Sequence, residues 1–252
     1  MLKVKSVLVS QPKPEGDKSP YFDLAETCKV KIDFRPFIHV EGVSLKDFRS
    51  QRINFADYNA VIFTSRNAVD YFFKTAEEVR YNVPESLKYF CISEAIAFYL
   101  QKYIVYRKRK VFTGKQTFQD LIPVLKKHKD CKFLLPCSDI VSPNIKELLD
   151  KEGFKYQCVV LYRTVCSDLS DLKDVNYDVL AFFSPSGIKS LFQNFPEFKQ
   201  NNTRIAVFGS TTSKAAEEAG LRIDICAPQP EAPSMTKALE LYIKDVNKNG
   251  KK

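Results

Sequence analysis

The stretch that decides the fold is Tyr177–Phe192, which reads Y-D-V-L-A-F-F-S-P-S-G-I-K-S-L-F. Its unbroken apolar run, Val179–Phe183, is typical of a strand buried on both faces of a parallel sheet. Pro185 cannot continue a central strand, but it fits the first position of a helix that has Ser184 as its N-cap. The stretch therefore predicts a strand, a tight turn and a helix.

The turn within this unit is a candidate anion site. Its sequence, S-P-S-G, predicts that the N–H groups of Ser186 and Gly187 are free. Free N–H groups at the start of a helix, with the helix dipole behind them, attract anions.

The same pattern occurs earlier in the chain, at Tyr58–Phe73, which reads Y-N-A-V-I-F-T-S-R-N-A-V-D-Y-F-F. Aligned without gaps, Ser65 falls opposite Ser184, and Phe73 falls opposite Phe192. Each copy is followed by another apolar run and a turn of small residues. This duplication of a strand–helix–strand–helix block predicts an α/β protein with two similar parallel-sheet domains.

One of the two domains is expected to be discontinuous. The C-terminal third offers too few strands for a stable doubly wound sheet, and the N-terminal strand Ser6–Val9 can complete it. The segment Lys31–Glu41 reads as an extended edge strand, because Pro36 in its middle cannot donate to a ladder. The predicted parts are residues 1–33 plus 167–252 for the discontinuous domain, 42–158 for the inserted domain, and 34–41 with 159–166 for a two-stranded β linker.

Charge and composition narrow the choice of partner. The 252-residue chain carries a net charge of +9, which indicates an anionic partner such as nucleic acid, an acidic membrane surface or a polycarboxylate. Simple solubility is the competing interpretation of that charge. The basic run Arg107–Lys115 leaves a single-stranded nucleic-acid binder open as an alternative, although such runs are more often solvated or protect a sheet edge.

Cysteine usage and the N-terminus predict a cytoplasmic protein. The seven cysteines are scattered with no CxxC pair, and only two histidines are present, so a metal site is not expected. The total of seven cysteines is odd, and several lie within predicted strands, which together indicate a reducing compartment. We expect no signal peptide and no membrane span, because no apolar run approaches ~20 residues.

Several familiar chemistries lack their motifs. The sequence contains no GxGxxG after the first strand and no GxxxxGK[ST], which disfavours dinucleotide and nucleoside triphosphate sites. It contains no GxSxG, which disfavours that class of hydrolase.

What remains is a set of strand-to-helix turns made of small hydroxyl residues and glycine. Open α/β sheets bind ligands beyond the carboxyl ends of their strands, and in a two-domain protein these ends can face each other across a cleft. Such a cleft would suit a large ligand with several carboxylates. The candidate ligand-binding residues are Ser65, Arg66, Asn67, Ser93, Ser184, Ser186, Gly187, Gly209, Ser210, Thr211 and Thr212.

Four short motifs of the sequence resemble those of the uroporphyrinogen-III synthase family. They are F-T-S-x-x-A-V at Phe63–Val69, V-x-Y-x-T-V at Val160–Val165, F-F-S-P-S-G at Phe182–Gly187 and G-x-T-T at Gly209–Thr212. The P-x-P-E-A-P-S segment before the last predicted helix also fits. The match runs in order along nearly the whole chain, and the family fold has two α/β domains, one of them discontinuous, joined by a two-stranded linker.

The resemblance implies a cofactor-independent lyase of tetrapyrrole biosynthesis. Its substrate would be hydroxymethylbilane, a linear polycarboxylate that loses water and closes with inversion of ring D. The preceding pathway enzyme would hand over the substrate, and neither nucleic acid nor membrane is expected as a partner. A monomer is the default expectation for the oligomeric state. The alternative is a non-catalytic tetrapyrrole-binding or regulatory homologue on the same fold.

The resemblance also assigns a role to Tyr162, which aligns with the family tyrosine proposed to assist departure of the hydroxyl group. The alternative is that Tyr162 only packs on the linker. Two departures from the family pattern support the non-catalytic alternative. Ser10-Gln11-Pro12 stands where many members have T-R-P, and Glu94 places a negative charge in the turn after Ser93.

Overall fold

The computed structural model describes residues 2–16, 18–139, 143–173 and 175–249. By its contacts the chain divides into two compact units. Unit 1 consists of Met1–His39 with Val165–Lys252, and unit 2 consists of Val40–Thr164. Each unit holds a sheet flanked by helices, and the sheets are dominated by parallel pairs, which confirms the predicted α/β class.

The elements are numbered in chain order. The strands are β1 (Ser6–Val9), β2 (Lys31–Phe34), β3 (Ile38–Gly42), β4 (Ala60–Phe63), β5 (Lys88–Cys91), β6 (Val111–Thr113), β7 (Lys132–Ser138), β8 (Lys155–Cys166), β9 (Val179–Phe182), β10 (Arg204–Phe208) and β11 (Ile223–Ala227). The helices are α1 (Pro20–Cys28), α2 (Leu45–Ser50), α3 (Arg66–Glu78), α4 (Glu94–Leu100), α5 (Phe118–Lys126), α6 (Pro143–Lys151), α7 (Pro185–Asn194), α8 (Ser210–Glu218) and α9 (Met235–Asn249).

The sheet of unit 1 has the strand order β11-β10-β9-β1-β2. The N-terminal strand β1 thus lies between β9 and β2 and pairs in parallel with both. Along β9, Val179 and Ala181 face one hydrophobic cluster while Leu180 and Phe182 face another. Because both faces are covered by helices, the strand is apolar at every position, as its sequence predicted.

The second sheet has the order β3-β8-β7-β4-β5-β6. Along β4, Val61 and Phe63 face one cluster, and Ala60 and Ile62 face the other. All four side chains are buried. The first copy of the repeated sequence therefore forms the same doubly covered central strand as the second copy.

The predicted single strand Lys31–Glu41 is instead two strands, β2 and β3. The main chain around Pro36 is held by bonds from Arg35 N–H to Val9 C=O and from Phe37 N–H to Ser10 C=O, at 3.0 and 3.5 Å. Pro36 itself has no N–H to continue a ladder, so the strand is interrupted there. Both pieces lie at sheet edges, β2 beside β1 and β3 beside β8, as a proline-containing segment requires.

Among the described residues, every helix is too short or too polar to span a bilayer.

Candidate functional site

The strand order places the ligand-binding edge of each sheet. In unit 1 the chain runs from β1 to β2 on one side and from β9 through β10 to β11 on the other, so the order reverses between β1 and β9. In unit 2 it reverses in the same way between β4 and β7. In open parallel sheets, ligands bind beyond the carboxyl ends of the strands at such reversals. The turns that follow β1, β9, β4 and β7 are therefore the candidate site elements.

In unit 1, Ser184 is the N-cap of α7. Its backbone is extended (φ −156°, ψ 154°), and its Oγ accepts a hydrogen bond from Gly187 N–H at 3.2 Å. Gly187 N–H also lies 3.0 Å from the Ser184 carbonyl oxygen, so it is not free, and that part of the sequence prediction was wrong. The reason is ordinary capping, since an N-cap serine bonds the N–H three residues on. Ser186 N–H has no acceptor among the described residues.

Ser10, at the end of β1, lies beside this turn. A Cβ atom added to Gly187 would lie 3.8 Å from Ser10 Oγ and 3.7 Å from Ser184 Oγ. Both hydroxyl groups therefore lie within ordinary contact distance of the Gly187 position, at the point of strand reversal. The sequence analysis did not assign Ser10 to the site, although its position directly after a strand was the available signal.

The next turn of unit 1 connects β10 to α8. Gly209 has φ +86°, a left-handed conformation that favours glycine. Helix α8 begins at Ser210, so Ser210, Thr211 and Thr212 form its first turn. Ser210 and Thr211 are exposed, whereas Thr212 is 1% exposed. Thr212 Oγ1 is buried without a hydrogen-bond partner among the described residues, which is unusual for a buried hydroxyl.

In unit 2, Ser65 is the N-cap of α3 and lies directly after β4. Its Oγ accepts from Ala68 N–H at 3.0 Å and lies 3.1 Å from the hydroxyl oxygen of Tyr162. Tyr162 is only 8% exposed and comes from β8. A phenol and a capping serine are therefore hydrogen-bonded to each other at the carboxyl end of a central strand.

Tyr162 is held from several directions. Its ring stacks on Tyr71, with ring centroids 5.3 Å apart and planes at 19°, and the Tyr71 hydroxyl donates to the Val40 carbonyl at 3.0 Å. The Tyr162 carbonyl accepts from Asp139 N–H at 3.2 Å. Burial raises the pKa of Tyr162, while the hydrogen bond from Ser65 acts in the opposite direction. Tyr162 is therefore a neutral phenol in a fixed orientation.

The other predicted residues of unit 2 lie at the same edge. Arg66 and Asn67 are exposed in the first turn of α3. Ser93 follows β5, the neighbour of β4, and its side chain makes no capping bond to the described residues. Glu94 is the first residue of α4, so a carboxylate does stand at the start of this helix.

Sequence reasoning missed Tyr71, Ser138 and Asp139. Ser138 ends β7 and is opposite Tyr162 in the β7–β8 register, where the register shifts by a bulge. A hydroxyl residue at the end of a strand was again the signal for Ser138. Nothing in the sequence indicated Tyr71, because its contact with Tyr162 joins α3 to a strand much later in the chain.

One group of possible metal ligands lies elsewhere in unit 2. His128, Asp130 and Cys131 have ligand atoms within 4.8 Å of one another. Lys88 Nζ lies 3.4 Å from His128 Nδ1 and 3.8 Å from Cys131 Sγ. Burial lowers the pKa of His128, and the charge of Lys88 acts in the same direction. Lys88 is the first residue of β5, and the three possible ligands precede β7, so the group lies at the edge of the sheet opposite the capped turns. His128 and Cys131 already contact a cation of the chain, the Lys88 ammonium group.

The fold and site together define a class of protein. It has two α/β units, each with hydroxyl groups and helix N-termini at the carboxyl ends of its strands, where such groups can bind anions. A family model described as "Uroporphyrinogen-III synthase HemD" matches residues 24–237. The chain belongs to the uroporphyrinogen-III synthase family.

Individual relatives agree with the family model. The chain is 25% identical to the uroporphyrinogen-III synthase of Chlorobaculum parvum over 261 residues, which cover 96% of this chain and 100% of that protein. It is 27% identical to the uroporphyrinogen-III synthase of Saccharomyces cerevisiae over 139 residues, covering 49% of this chain and 50% of the other.

Solved structures show the same fold. The crystal structure of the Helicobacter pylori uroporphyrinogen-III synthetase has a TM-score of 0.58 at 20% identity, covering 95% of this chain and 99% of that one. A mutant uroporphyrinogen III synthase from Thermus thermophilus has a TM-score of 0.52 at 15% identity, with coverage of 96% and 99%. At these identities the likeness concerns the fold alone.

The predicted function is confirmed at the level of the family. The chain is an enzyme of tetrapyrrole biosynthesis with a lyase-type activity, the cyclisation of hydroxymethylbilane. The non-catalytic alternative is not favoured. The roles of individual residues are a separate question.

Proposed function

We propose that Tyr162 assists the departure of the hydroxyl group from hydroxymethylbilane. The observation that carries this proposal is its hydrogen bond of 3.1 Å to Ser65 at the strand reversal of unit 2. When Ser65 donates to the phenol oxygen, the phenol proton is available for the leaving oxygen. Loss of the hydroxyl leaves an azafulvene cation, which the terminal pyrrole attacks through its substituted α-carbon. The electron-rich pyrrole drives this loss, so a neutral phenol is an adequate donor.

The state of the phenol fits this role. Burial raises the pKa of Tyr162, so the side chain stays protonated at neutral pH. An ionised tyrosine could only accept a hydrogen bond, so it could not donate to the leaving oxygen. Stacking on Tyr71 limits rotation of the ring and keeps the hydroxyl beside Ser65.

We also propose that the capped turns bind substrate carboxylates. In unit 1 the donors are Ser186 N–H, Ser184, and the first turn of α8, where the Thr212 hydroxyl lacks a partner among the described residues. Helix N-termini favour anions through their unpaired N–H groups and the dipole. The remaining proposed contacts of unit 1 are Gly209, Ser210 and Thr211, whereas the Gly187 N–H is already bonded to Ser184.

In unit 2 the proposed carboxylate contacts are Ser65, Arg66, Asn67 and Ser93. Arg66 brings a permanent positive charge, and Asn67 an amide donor, to the first turn of α3. The Ser93 turn should contribute least, because Glu94 stands next to it and repels an approaching carboxylate. Holding a flexible chain at several points favours attack by the correct carbon, a contribution that can reach several kcal/mol.

The proposal also covers cofactors, oligomeric state and partners. The reaction needs no cofactor or metal, since the pyrrole supplies the electrons. We propose a cytoplasmic monomer that receives the unstable substrate from the preceding pathway enzyme. Nucleic acid and membrane have no part in it.

The test is the Tyr162→Phe variant, assayed with hydroxymethylbilane made in a coupled reaction. We expect kcat to fall by about tenfold or less, because one hydrogen bond to the leaving group is lost while the pyrrole still drives the step. The matched control is Tyr71→Phe, which loses a hydroxyl from the same stack but has no contact with Ser65. An unchanged kcat in Tyr162→Phe would make Tyr162 a packing residue.

A further inference from the structure

Arg66 occupies an electrostatically unfavourable place. It is the first residue of α3, where the helix dipole favours negative rather than positive charge. Among the described residues, no carboxylate forms an ion pair with its guanidinium. Its partner is instead an aromatic ring, since Arg66 Cζ lies 5.3 Å from the ring centroid of Tyr99 on α4.

The carboxylate that would ordinarily pair with Arg66 is occupied. Asp70 lies four residues further along α3, at the spacing of a helical ion pair. Its two carboxylate oxygens lie 2.8 and 2.7 Å from the Tyr99 hydroxyl, and one of them lies 2.5 Å from the Tyr103 hydroxyl. Lys102 Nζ is 3.6 Å away. Asp70 therefore holds the tyrosines and leaves the guanidinium without a countercharge.

This network also fixes the orientation of Tyr99. The hydroxyl is tied to Asp70, and Lys102 Nζ lies 5.6 Å from the centroid of the same ring. A phenol that donates to a carboxylate has a more electron-rich ring, which attracts a cation more strongly. The hydrogen bond to Asp70 raises the pKa of Tyr99, so the donor keeps its proton.

We propose that Tyr99 is a positioning residue that holds Arg66 for a substrate carboxylate at the start of α3. A cation–π contact uses none of the N–H donors of the guanidinium as hydrogen bonds to an acceptor atom, so these donors can bind a carboxylate in a bidentate geometry. Ser65, the cap of the same helix, bonds Tyr162, so the carboxylate would be bound one residue away from the hydrogen-bond partner of the leaving-group donor. The inference rests on the proposed function, and it adds Tyr99 and Asp70 as the groups that prepare Arg66.

The experiment is a double-mutant cycle with hydroxymethylbilane as the substrate. Tyr99→Leu removes the ring and should raise KM about threefold to tenfold, with kcat changed by no more than about twofold. Tyr99→Phe retains the ring and should stay closer to the wild type. Arg66→Ala should raise KM at least as much as Tyr99→Leu. Adding Tyr99→Leu to Arg66→Ala should cause no further increase, because the ring then has nothing to hold.

Tyr103→Phe is the matched control. It loses a hydrogen bond to Asp70 from the same cluster, but Tyr103 stacks on Phe73, at 4.5 Å and 2°, and has no contact with Arg66. Its KM should be unchanged. Melting temperatures of all variants show whether the helix pair has been damaged.

Two results would overturn the inference. One is an equal increase in KM from Tyr99→Leu with and without Arg66, which would indicate a structural effect. The other is a Tyr99→Phe variant as impaired as Tyr99→Leu. If the wild type forms the type III isomer and Arg66→Ala leaves KM unchanged, the inference fails while the function stands. If the wild type forms no type III isomer, both fail.

Discussion

The Ser65 turn of unit 2 and the Ser184 turn of unit 1 are copies of one sequence pattern with different surroundings. Both serines have φ −156°, with ψ 164° and 154°, and each accepts a hydrogen bond from the N–H three residues later. Ser65 also contacts the Tyr162 hydroxyl. Among the residues that the structure describes, no tyrosine hydroxyl is bonded to Ser184.

The comparison indicates that the repeat supplies a common scaffold, whereas the residues proposed to take part in the chemistry lie outside it or differ between its two copies. Tyr162 belongs to β8, which has no counterpart in the aligned pair of segments. Arg66 likewise stands where the other copy has Pro185. Binding of carboxylates is therefore expected of both turns, whereas assistance to the leaving group is expected of unit 2.

The largest expected effects test the shared scaffold. Phe63 and Phe182 are the matching last residues of the two central strands, and both are 0% exposed. Replacing either by alanine should lower the free energy of unfolding by about 3–5 kcal/mol, through lost burial and the cavity left behind. Urea denaturation measures both values. A loss below about 1 kcal/mol at either position would show that the two strands are not equivalent in packing.

Substitution of the two capping serines should separate effects on stability from effects on catalysis. Ser65→Ala and Ser184→Ala each remove one cap and should each cost about 1 kcal/mol of stability. Only Ser65→Ala should also lower kcat, because it removes the partner of Tyr162, while Ser184→Ala should mainly raise KM. Ser44→Ala is the control, since Ser44 caps α2 through a 3.1 Å bond from Asp47 N–H and has no proposed contact with substrate. Equal loss of kcat in the two serine variants would remove the distinction between the turns.

A second pair of matched residues gives a pH prediction. Tyr177 and Tyr58 precede the two central strands. The pKa of Tyr177 is raised from 10.0 to about 12, mainly by burial and then by the hydrogen bond of 2.9 Å from its hydroxyl to Asp33. Below pH 10 both folded and unfolded states keep this proton. Between pH 10 and 12 only the unfolded state loses it, so the free energy of unfolding should fall as pH rises through that range.

Denaturation at several alkaline pH values checks this prediction. Tyr177→Phe should reduce the slope between pH 10 and 12, because it removes the titrating group. Among the described contacts, the hydroxyl of Tyr58 has no hydrogen bond to a carboxylate. Its pKa is raised mainly by burial and then by the charge of Asp57. An unchanged slope in Tyr177→Phe would assign the alkaline loss of stability to other groups.

The smallest effect is expected at Gly187. An added Cβ would lie 3.4 Å from Phe182 Cδ1, an ordinary contact distance, so Gly187→Ala should be tolerated. Stability should rise by up to about 1 kcal/mol, since alanine restricts the unfolded chain. Turnover and KM should be unchanged, because the Gly187 N–H already bonds Ser184. A marked increase in KM would instead mean that the substrate approaches the backbone here.

The sequence predicted the scaffold because its signals are local. The apolar run Val179–Phe183, the serine after it and the helical spacing beyond it lie within one short stretch. The prediction that Gly187 N–H is free was wrong, although the rule that an N-cap serine bonds the third N–H could have corrected it.

The chemistry of the site was less accessible from the sequence. The contact between Ser65 and Tyr162 joins residues 97 positions apart and depends on the register of β8 against β7. The link from Arg66 through Tyr99 to Asp70 depends on how α3 packs against α4. Motifs identified Ser65, Arg66 and Tyr162, but they did not identify Tyr99 or Asp70, and only the packing of distant elements shows which side chains meet.

The most direct test of the account is the isomer composition of the product. Hydroxymethylbilane would be generated in situ by the preceding enzyme, and the products would be separated after oxidation to porphyrins. The account predicts that the wild type forms the type III isomer, and that Tyr162→Phe forms it more slowly but in an unchanged proportion, because this tyrosine acts on the leaving group and not on the choice of carbon. Formation of the type I isomer alone, at the rate seen without the protein, would contradict it.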